Sequence, residues 1–344
     1  MKVFEDKTII LGVPKLFDLD NVVETELKGV GFKTINISFH TNTFRYKNIF
    51  QRLESFIAKN FLGKKHYKQI LNFKRSEGMI MSELQKTGKA DYILIIRPEV
   101  YPIDFLTALK KKGGIMVGYQ WNGLDRFPRT YEYINLFDRF FVFDGKDLEV
   151  PGVLPITNFY PTLTHLEKSN DSETASDVFY AGSFYRDRVG VLYEIVSKCK
   201  EAGLDVHCHL FSKKKHHFVN NSISVTRRFL TYGENIRYTL NSKILLDIKA
   251  SEHEGLSFRV LEAVGFGKKL ITTNQRVRDY DFFHPDNILI WSGQSKEELE
   301  AFVNKPYVPV SEALKHKYSF KNWIQYMLKE GSYIPIELPV SKKA

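Results

Sequence analysis

Two glutamates, Glu254 and Glu262, stand eight positions apart in HEGLSFRVLEAVGFGKKLITTN (253–274), with Gly255, Leu256, Ser257 and Arg259 between them. Upstream, DVFYAGSFYRDR (177–188) places Gly182 and Ser183 just ahead of Arg186 and Arg188. Carboxylates accept hydrogen bonds from hydroxyl groups, and guanidinium groups neutralise phosphate oxygens. A helix is expected to begin near Leu256 or Ser257, where free N–H groups and a partial positive charge suit a phosphate. Gly255 removes a side chain where a ligand would approach that backbone. The chemistry these residues fit is cleavage of a bond to a phosphate. Negative charge then develops on the leaving oxygen, and fixed cations and helix amides stabilise it without a metal. Arg186 and Arg188, just beyond the strand, and Arg259, one turn into the helix, are the candidate cations.

Helix geometry places Glu262 further. At 100° per residue, Val260, Leu261 and Val264 define the apolar stripe, and Glu262 falls roughly 150° from its centre. Glu262 is therefore expected to face solvent or an interdomain cleft rather than its own core. The competing reading is a surface pair of Arg259 with Glu262 at i,i+3, worth a few tenths of a kcal/mol.

These residues need a scaffold, and the apolar pattern supplies one. Strands are expected at 7–13, 32–39, 92–98, 114–121, 139–144 and 152–160, with helices over 22–28, a long basic region 44–88, and a short segment ending at Lys110–Lys112. The stretch 161–176 is polar, opens with Pro161 and lacks apolar periodicity, so it reads as a linker. The alternation restarts with a strand at 177–185, a helix at 189–202, and strands at 206–211, 243–249, 268–274 and 287–292. Near-continuous apolar strands between helices indicate parallel sheets covered on both faces. The expected architecture is α/β, with two Rossmann-like domains over 1–160 and 177–315 facing a central cleft at the carboxyl ends of their strands. The tail from 316, with the amphipathic HKYSFKNWIQYML, is expected to cross back to the first domain.

FYAGSFYRDR, YTLNSKILLDI, LSFRVLEAVGFGKKLITTN and YQWNGLDRFP, together with the spacing of Glu254 and Glu262, resemble retaining group-1 glycosyltransferases of GT-B fold. The similarity is to their bacterial surface-polysaccharide and spore-maturation-protein-like branch, and it is most specific over 177–190 and 242–292. It implies that Glu262 accepts hydrogen bonds from the ribose hydroxyls of a nucleotide-sugar and that Glu254 orients the donor sugar. Both are positioning roles, in which orientation supplies the energy. It further implies retention and a bacterial cell-surface glycan acceptor such as lipopolysaccharide or capsule. On the acceptor side, Gly12 ends the first strand, while Trp121 and Asn122 leave the fourth.

Other signals are weaker. DLD (18–20) and DYD (279–281) resemble metal-holding triplets, but Asp18 and Asp20 precede a helix start where capping explains them. HCH (207–209) with Cys199, His216 and His217 lacks a C-x-x-C partner, and Cys208 is expected to point into the opposite, buried face. No metal is expected, nor any cofactor beyond the donor. The chain of 344 residues is 43% hydrophobic, enough for sizeable cores, and its two cysteines fit a reducing compartment. Fifty Lys and Arg against 40 Asp and Glu leave a net charge of +10, which suits nucleic acid, an anionic membrane or a phosphorylated substrate. No RNA-binding signature or basic recognition helix supports nucleic acid as a partner. FSKKKHHF (211–218) and the basic region from Arg45 to Arg75 suit anionic lipid headgroups. With no secretory leader or membrane span expected, the chain reads as cytoplasmic, with peripheral contact at the inner membrane. The rival readings are a basic nucleic-acid-binding protein and a GT-B-like assembly protein that has lost transfer.

Overall fold

The computed structural model describes residues 3–41, 44–60, 67–86, 88–162, 175–214, 222–250 and 253–339. Most of the polar 161–176 stretch, Ser251 and Glu252, and His216 and His217 lie outside them. The chain gathers into two compact units. One is Met1–Val142, Asp147–Leu154 and Met327–Gly331, and the other is Phe143–Lys146, Pro155–Tyr326 and Ser332–Ala344.

The first unit contains β1 (Thr8–Gly12), α1 (Leu19–Val30), β2 (Lys33–Asn36), α2 (Ile49–Asn60), α3 (Tyr67–Gln85), β3 (Ala90–Ile96), α4 (Ile103–Lys110), β4 (Gly113–Gln120), β5 (Arg139–Val142) and β6 (Val153–Pro155). Its sheet runs β2-β1-β3-β4-β5-β6. β1 pairs in parallel with β2 and β3, and β3 and β5 flank β4 in the same sense. Ile9–Leu11 and Ile93–Ile96 are fully buried, as a strand covered on both faces requires. The basic stretch expected as one helical region is two helices.

The second unit continues with β7 (Ser176–Ser183), α5 (Arg186–Glu201), β8 (Val206–Phe211), β9 (Ile223–Thr226), α6 (Tyr232–Asn241), β10 (Ser242–Asp247), α7 (Phe258–Phe266), β11 (Lys269–Thr272), β12 (Ile288–Ile290), α8 (Lys296–Asn304), α9 (Glu312–Lys317) and α10 (Phe320–Leu328). Its sheet order is β12-β11-β10-β7-β8-β9. The chain starts in the middle, builds outward one way, then returns to build the other way. Two apolar clusters cover its opposite faces, one around Ile195, Leu246 and Leu299 and one around Leu245, Val260 and Leu270.

β9 and α6 are additions to the sequence reading. β9 is a four-residue edge strand of mixed polarity. α6 opens on a capping box in which Thr231 and Glu234 bond reciprocally to each other's backbone, so the T-x-x-E at 231–234 was its available signal. In β8, Cys208 is buried between the half-buried His207 and His209, as expected. Lys269 is buried within β11 because its ammonium caps the carboxyl end of α8, donating to the carbonyls of Phe302, Val303 and Lys305.

Candidate active site in the second unit

In a doubly wound sheet, ligands bind beyond the carboxyl ends of the strands where the order reverses. In the second unit that point lies between β7 and β10. A hollow of about 110 Å³ opens there, lined by Arg188 after β7, by Asp247, Lys249 and His253 at and beyond the end of β10, and by Gly255, Ser257 and Asn274. It is smaller than the several-hundred-Å³ pockets that enclose whole drug-sized ligands, and it suits a phosphate-sized part of one.

The rim is built from hydrogen bonds. Asp247, 5% exposed, accepts from the Ser257 hydroxyl through Oδ1 and from the Thr272 hydroxyl through Oδ2, both at 2.7 Å. Its charge is thereby spent inside the scaffold. Ser257 is the N-cap residue of α7, yet its side chain makes no capping bond. The first N–H groups of the helix receive no bond from the Ser257 side chain, and a helix start of that kind suits an anion. Asn274 donates to the carbonyls of Glu254 and Gly255, Asp144 accepts the Glu254 N–H at 2.9 Å, and Asn158 donates to the Leu256 carbonyl at 2.9 Å. Three polar side chains from three other segments thus fix the loop that carries Glu254 to Leu256.

Of the residues singled out by sequence, the hollow brings together Arg188, Gly255 and Ser257. Arg188 is 17% exposed, lies over the Tyr185 ring at 4.3 Å and has its Nε 3.8 Å from Asp187. Lys249, not foreseen, adds a second cation and forms no ion pair among the described residues. Glu254 does not line the hollow. Its carboxylate lies 3.1 Å from the Lys146 ammonium and 3.8 Å from Arg276 Nε. Arg186 is exposed in the first turn of α5, and Gly182 and Ser183 end β7. Leu256 is buried.

Three expectations are corrected by packing. Glu262 faces neither solvent nor a cleft surface: it is 1% exposed and accepts a 2.7 Å hydrogen bond from the Tyr232 hydroxyl. The helical stripe was read against one sheet, and α6, whose first residue Tyr232 reaches Glu262, was missing from the reading. Burial raises the Glu262 pKa, while Arg259, Tyr232 and Asn235 oppose the rise. Arg259 is no surface partner of Glu262. It donates to the Leu246 carbonyl at 3.1 Å and the Ala181 carbonyl at 2.8 Å, tying the ends of β10 and β7 together over the Tyr180 ring. Finally, the space a Cβ at Gly255 would occupy lies 2.6 Å from the Phe143 ring and carbonyl. Gly255 is thus demanded by internal packing, although its backbone also faces the hollow.

In the first unit, Gly12 ends β1 where a Cβ would meet Ile95 and the Tyr101 hydroxyl at 2.8 Å. Trp121 and Asn122 are half-buried just beyond β4. Sequence reasoning missed the cluster beside them. Arg97, in a left-handed conformation (φ 59°), pairs with the buried Glu99 at 2.6 Å, and Gln120 donates to Glu99 at 3.1 Å and to Thr130 at 2.9 Å. An arginine directly after an apolar strand, two residues before a glutamate, was the signal.

Both D-x-D triplets are engaged by protein groups. Asp20 is buried 4.0 Å from Lys15, Asp279 pairs with Arg276, and Asp281 pairs with Lys317. Asp18 holds the N-cap position of α1 without a capping bond, contrary to the capping explanation. Among the described residues, no group of three or more His, Cys, Asp or Glu could hold a metal ion. Burial pushes the thiols of Cys199 and Cys208 up to about 12. No described helix is long and apolar enough to cross a membrane.

No family model and no curated protein matches the chain in sequence. Solved structures do match in fold. The N-terminal domain of trehalose-6-phosphate phosphatase from Candida albicans superimposes with a TM-score of 0.52 at 10% identity, over 92% of this chain and 93% of that one. The catalytic domain of starch synthase IV from Arabidopsis thaliana, bound to ADP and acarbose, gives 0.49 at 9% identity over 87% and 92%. An α-glucosyltransferase solved with UDP-glucose and abasic DNA gives 0.49 at 11% identity over 86% and 89%. The chain has the fold expected of it: two parallel six-stranded α/β sheets forming Rossmann-like domains of GT-B type.

Proposed function

We propose that the protein is a glycosyltransferase that moves a sugar from a nucleotide-sugar to a bacterial cell-surface glycan, such as lipopolysaccharide or capsule. The observation that carries this reading is the hollow at the strand-order reversal of the second unit, where Arg188, Lys249 and the uncapped start of α7 converge. That combination takes a diphosphate, with the phosphate charge set against two cations and backbone amides. The glycosyl–oxygen bond to the phosphate breaks, the departing oxygen takes the proton of the incoming acceptor hydroxyl, and the sugar joins that hydroxyl with retention. Arg188 carries most of the charge stabilisation, assisted by Lys249, and no metal is required.

The sequence resemblance supports the remaining roles. Glu254 orients the donor sugar and Glu262 the ribose, which asks the Tyr232–Glu262 hydrogen bond to yield to a ligand hydroxyl. Gly182, Ser183 and Arg186 border the phosphate site, with Leu256 and Arg259 holding its shape. The first domain, about 1–160, takes the acceptor through Trp121 and Asn122 beside Gly12. The second, about 177–315, takes the donor, and the tail from 316 returns to the first. The place of action is the cytoplasmic side of the inner membrane.

The test is a thermal-shift series with UDP-, GDP-, dTDP-, ADP- and CMP-sugars, in buffer with and without EDTA. A site filled at a hundred times its Kd stabilises by about 2.7 kcal/mol, which raises Tm by a few degrees. One nucleotide class should do this and the others should not, with EDTA making no difference. A well-folded chain indifferent to all five would end the proposal.

A further inference from the structure

Helix α2 is amphipathic in the opposite sense from a core helix. At 100° per residue, Ile49, Phe50, Leu53, Phe56 and Ile57 share an arc of about 120°. They are 75, 76, 55, 58 and 42% exposed, while Ser55 and Ala58, on the other side, are buried. Tethers hold the helix this way round. The Tyr46 and Ser55 hydroxyls are 3.1 Å apart, Arg75 donates to Gln51 at 3.4 Å, and Tyr67 donates to Glu54. The small and polar face is thus turned inward, and five large apolar side chains are left in water.

The same segment carries most of the protein's net charge. From Arg45 to Arg75 the sequence has nine Lys and Arg against one acid, Glu54, a net +8 out of +10 for the whole chain. Arg45, Lys47, Arg52, Lys68, Lys74 and Arg75 are exposed. A partner must therefore offer hydrocarbon and negative charge together.

We propose that α2 docks on an anionic lipid bilayer, its Ile49–Phe50–Leu53–Phe56–Ile57 face sunk among the acyl chains and the surrounding cations on the headgroup phosphates. Nucleic acid would satisfy the cations but leave the apolar face in water. A second copy packed on the same face would bury the apolar side chains but bring two +8 segments together. The bilayer alone answers both features. This inference stands apart from the donor site of the second unit and holds whichever sugar is moved.

The test is co-sedimentation of the full chain with vesicles of phosphatidylcholine alone and of phosphatidylcholine with added phosphatidylglycerol. Binding should require the anionic lipid and weaken with salt. Phe50→Ser with Phe56→Ser should lower the affinity at least about tenfold, because each exchange removes a phenyl group from hydrocarbon. Lys47→Glu with Arg52→Glu should lower it too, and flatten the salt dependence. Because Phe50 and Phe56 are already exposed, the serine variant should keep its Tm and its response to nucleotide-sugars. Failure of the wild-type chain to bind anionic vesicles would overturn the proposal. So would equal binding by the serine variant. A wild-type dimer in vesicle-free sedimentation that the serine variant dissolves would assign the face to self-association instead.

Discussion

The two units carry sheets of the same size and sense, yet the carboxyl ends of their central strands are finished differently. In the first unit, the space beside Gly12 at the end of β1 is filled by Ile95 and Tyr101. Tyr101 is 1% exposed and packs in an aromatic cluster with Phe39, Phe73 and Phe105. Beside it, Glu99 is enclosed by Arg97 and Gln120. In the second unit, the corresponding position holds hydroxyls, amides and cations around an opening. The parallel sheet supplies the location in both units. What fills that location differs: an aromatic plug at the end of β1, which leaves contacts to residues beyond β4 such as Trp121 and Asn122, and a polar cradle around an opening in the second unit.

That contrast can be broken, and the largest effect should come from the closed side. Glu99→Ala removes the buried member of an ion pair and strips the partner from a half-buried arginine already held at positive φ, a change that costs about 3 kcal/mol. It should lower Tm sharply while the folded fraction still binds nucleotide-sugar. Normal stability with lost donor binding would reverse the roles of the two ends. Arg188→Ala should do the opposite. Transfer should fall by about 10²–10³-fold, the cost of one group aimed at developing charge, with Tm almost unchanged because the side chain borders a hollow. Turnover within a factor of three of wild type would remove Arg188 from the chemistry.

Much of this was legible before any coordinates. Apolar runs such as Ile93–Ile96 were readable as strands covered on both faces, and they are fully buried. Arg188 and Ser257, picked out for a cation after a strand and a helix start, do line the hollow, whereas Gly255 lines it for a reason the sequence hid, its packing against Phe143. What could not be read was side-chain direction set by a second layer. Glu262 seemed outward-facing because α6 was invisible, and Arg259 seemed free because the carbonyls it ties belong to strands distant in sequence. Asp144, Asn158 and Asn274, which shape the loop, are ordinary polar residues until the chain is folded. The exposed apolar face of α2 lay beyond the pattern in another way, since periodicity reports amphipathicity but not which side is wet.

A smaller effect should come from the loop's supports. Asn274→Ala removes the two hydrogen bonds that hold the Glu254 and Gly255 carbonyls and the one that accepts the Arg276 N–H, a loss of about 1–3 kcal/mol. If the loop's shape matters more than its stability, donor affinity should fall about tenfold while Tm drops only slightly. Equal losses in both would mean that the amide serves the fold alone.

The smallest effect, and the most diagnostic for the acid pair, is pH-dependent. Burial raises the folded-state pKa of Glu262 above its ordinary value, so over the intervening range the native state holds a proton that the unfolded chain has released. Native stability from this group then falls as pH rises, beginning near the ordinary glutamate pKa of about 4.3 and levelling off above the raised folded value. Glu262→Gln is neutral at every pH and keeps an acceptor for the Tyr232 hydroxyl, so it escapes that loss. The Tm of Glu262→Gln minus that of wild type should therefore grow as pH is raised from 4 towards 8. A flat difference would show that the carboxylate titrates alike in both states, and a shrinking one that the folded protein favours the charged form. Either result would mean that hydration or the neighbouring Arg259, Tyr232 and Asn235 outweigh burial around the Glu262 carboxylate. Hydration would return Glu262 to reach of a ligand without the hydrogen bond to Tyr232 having to open first.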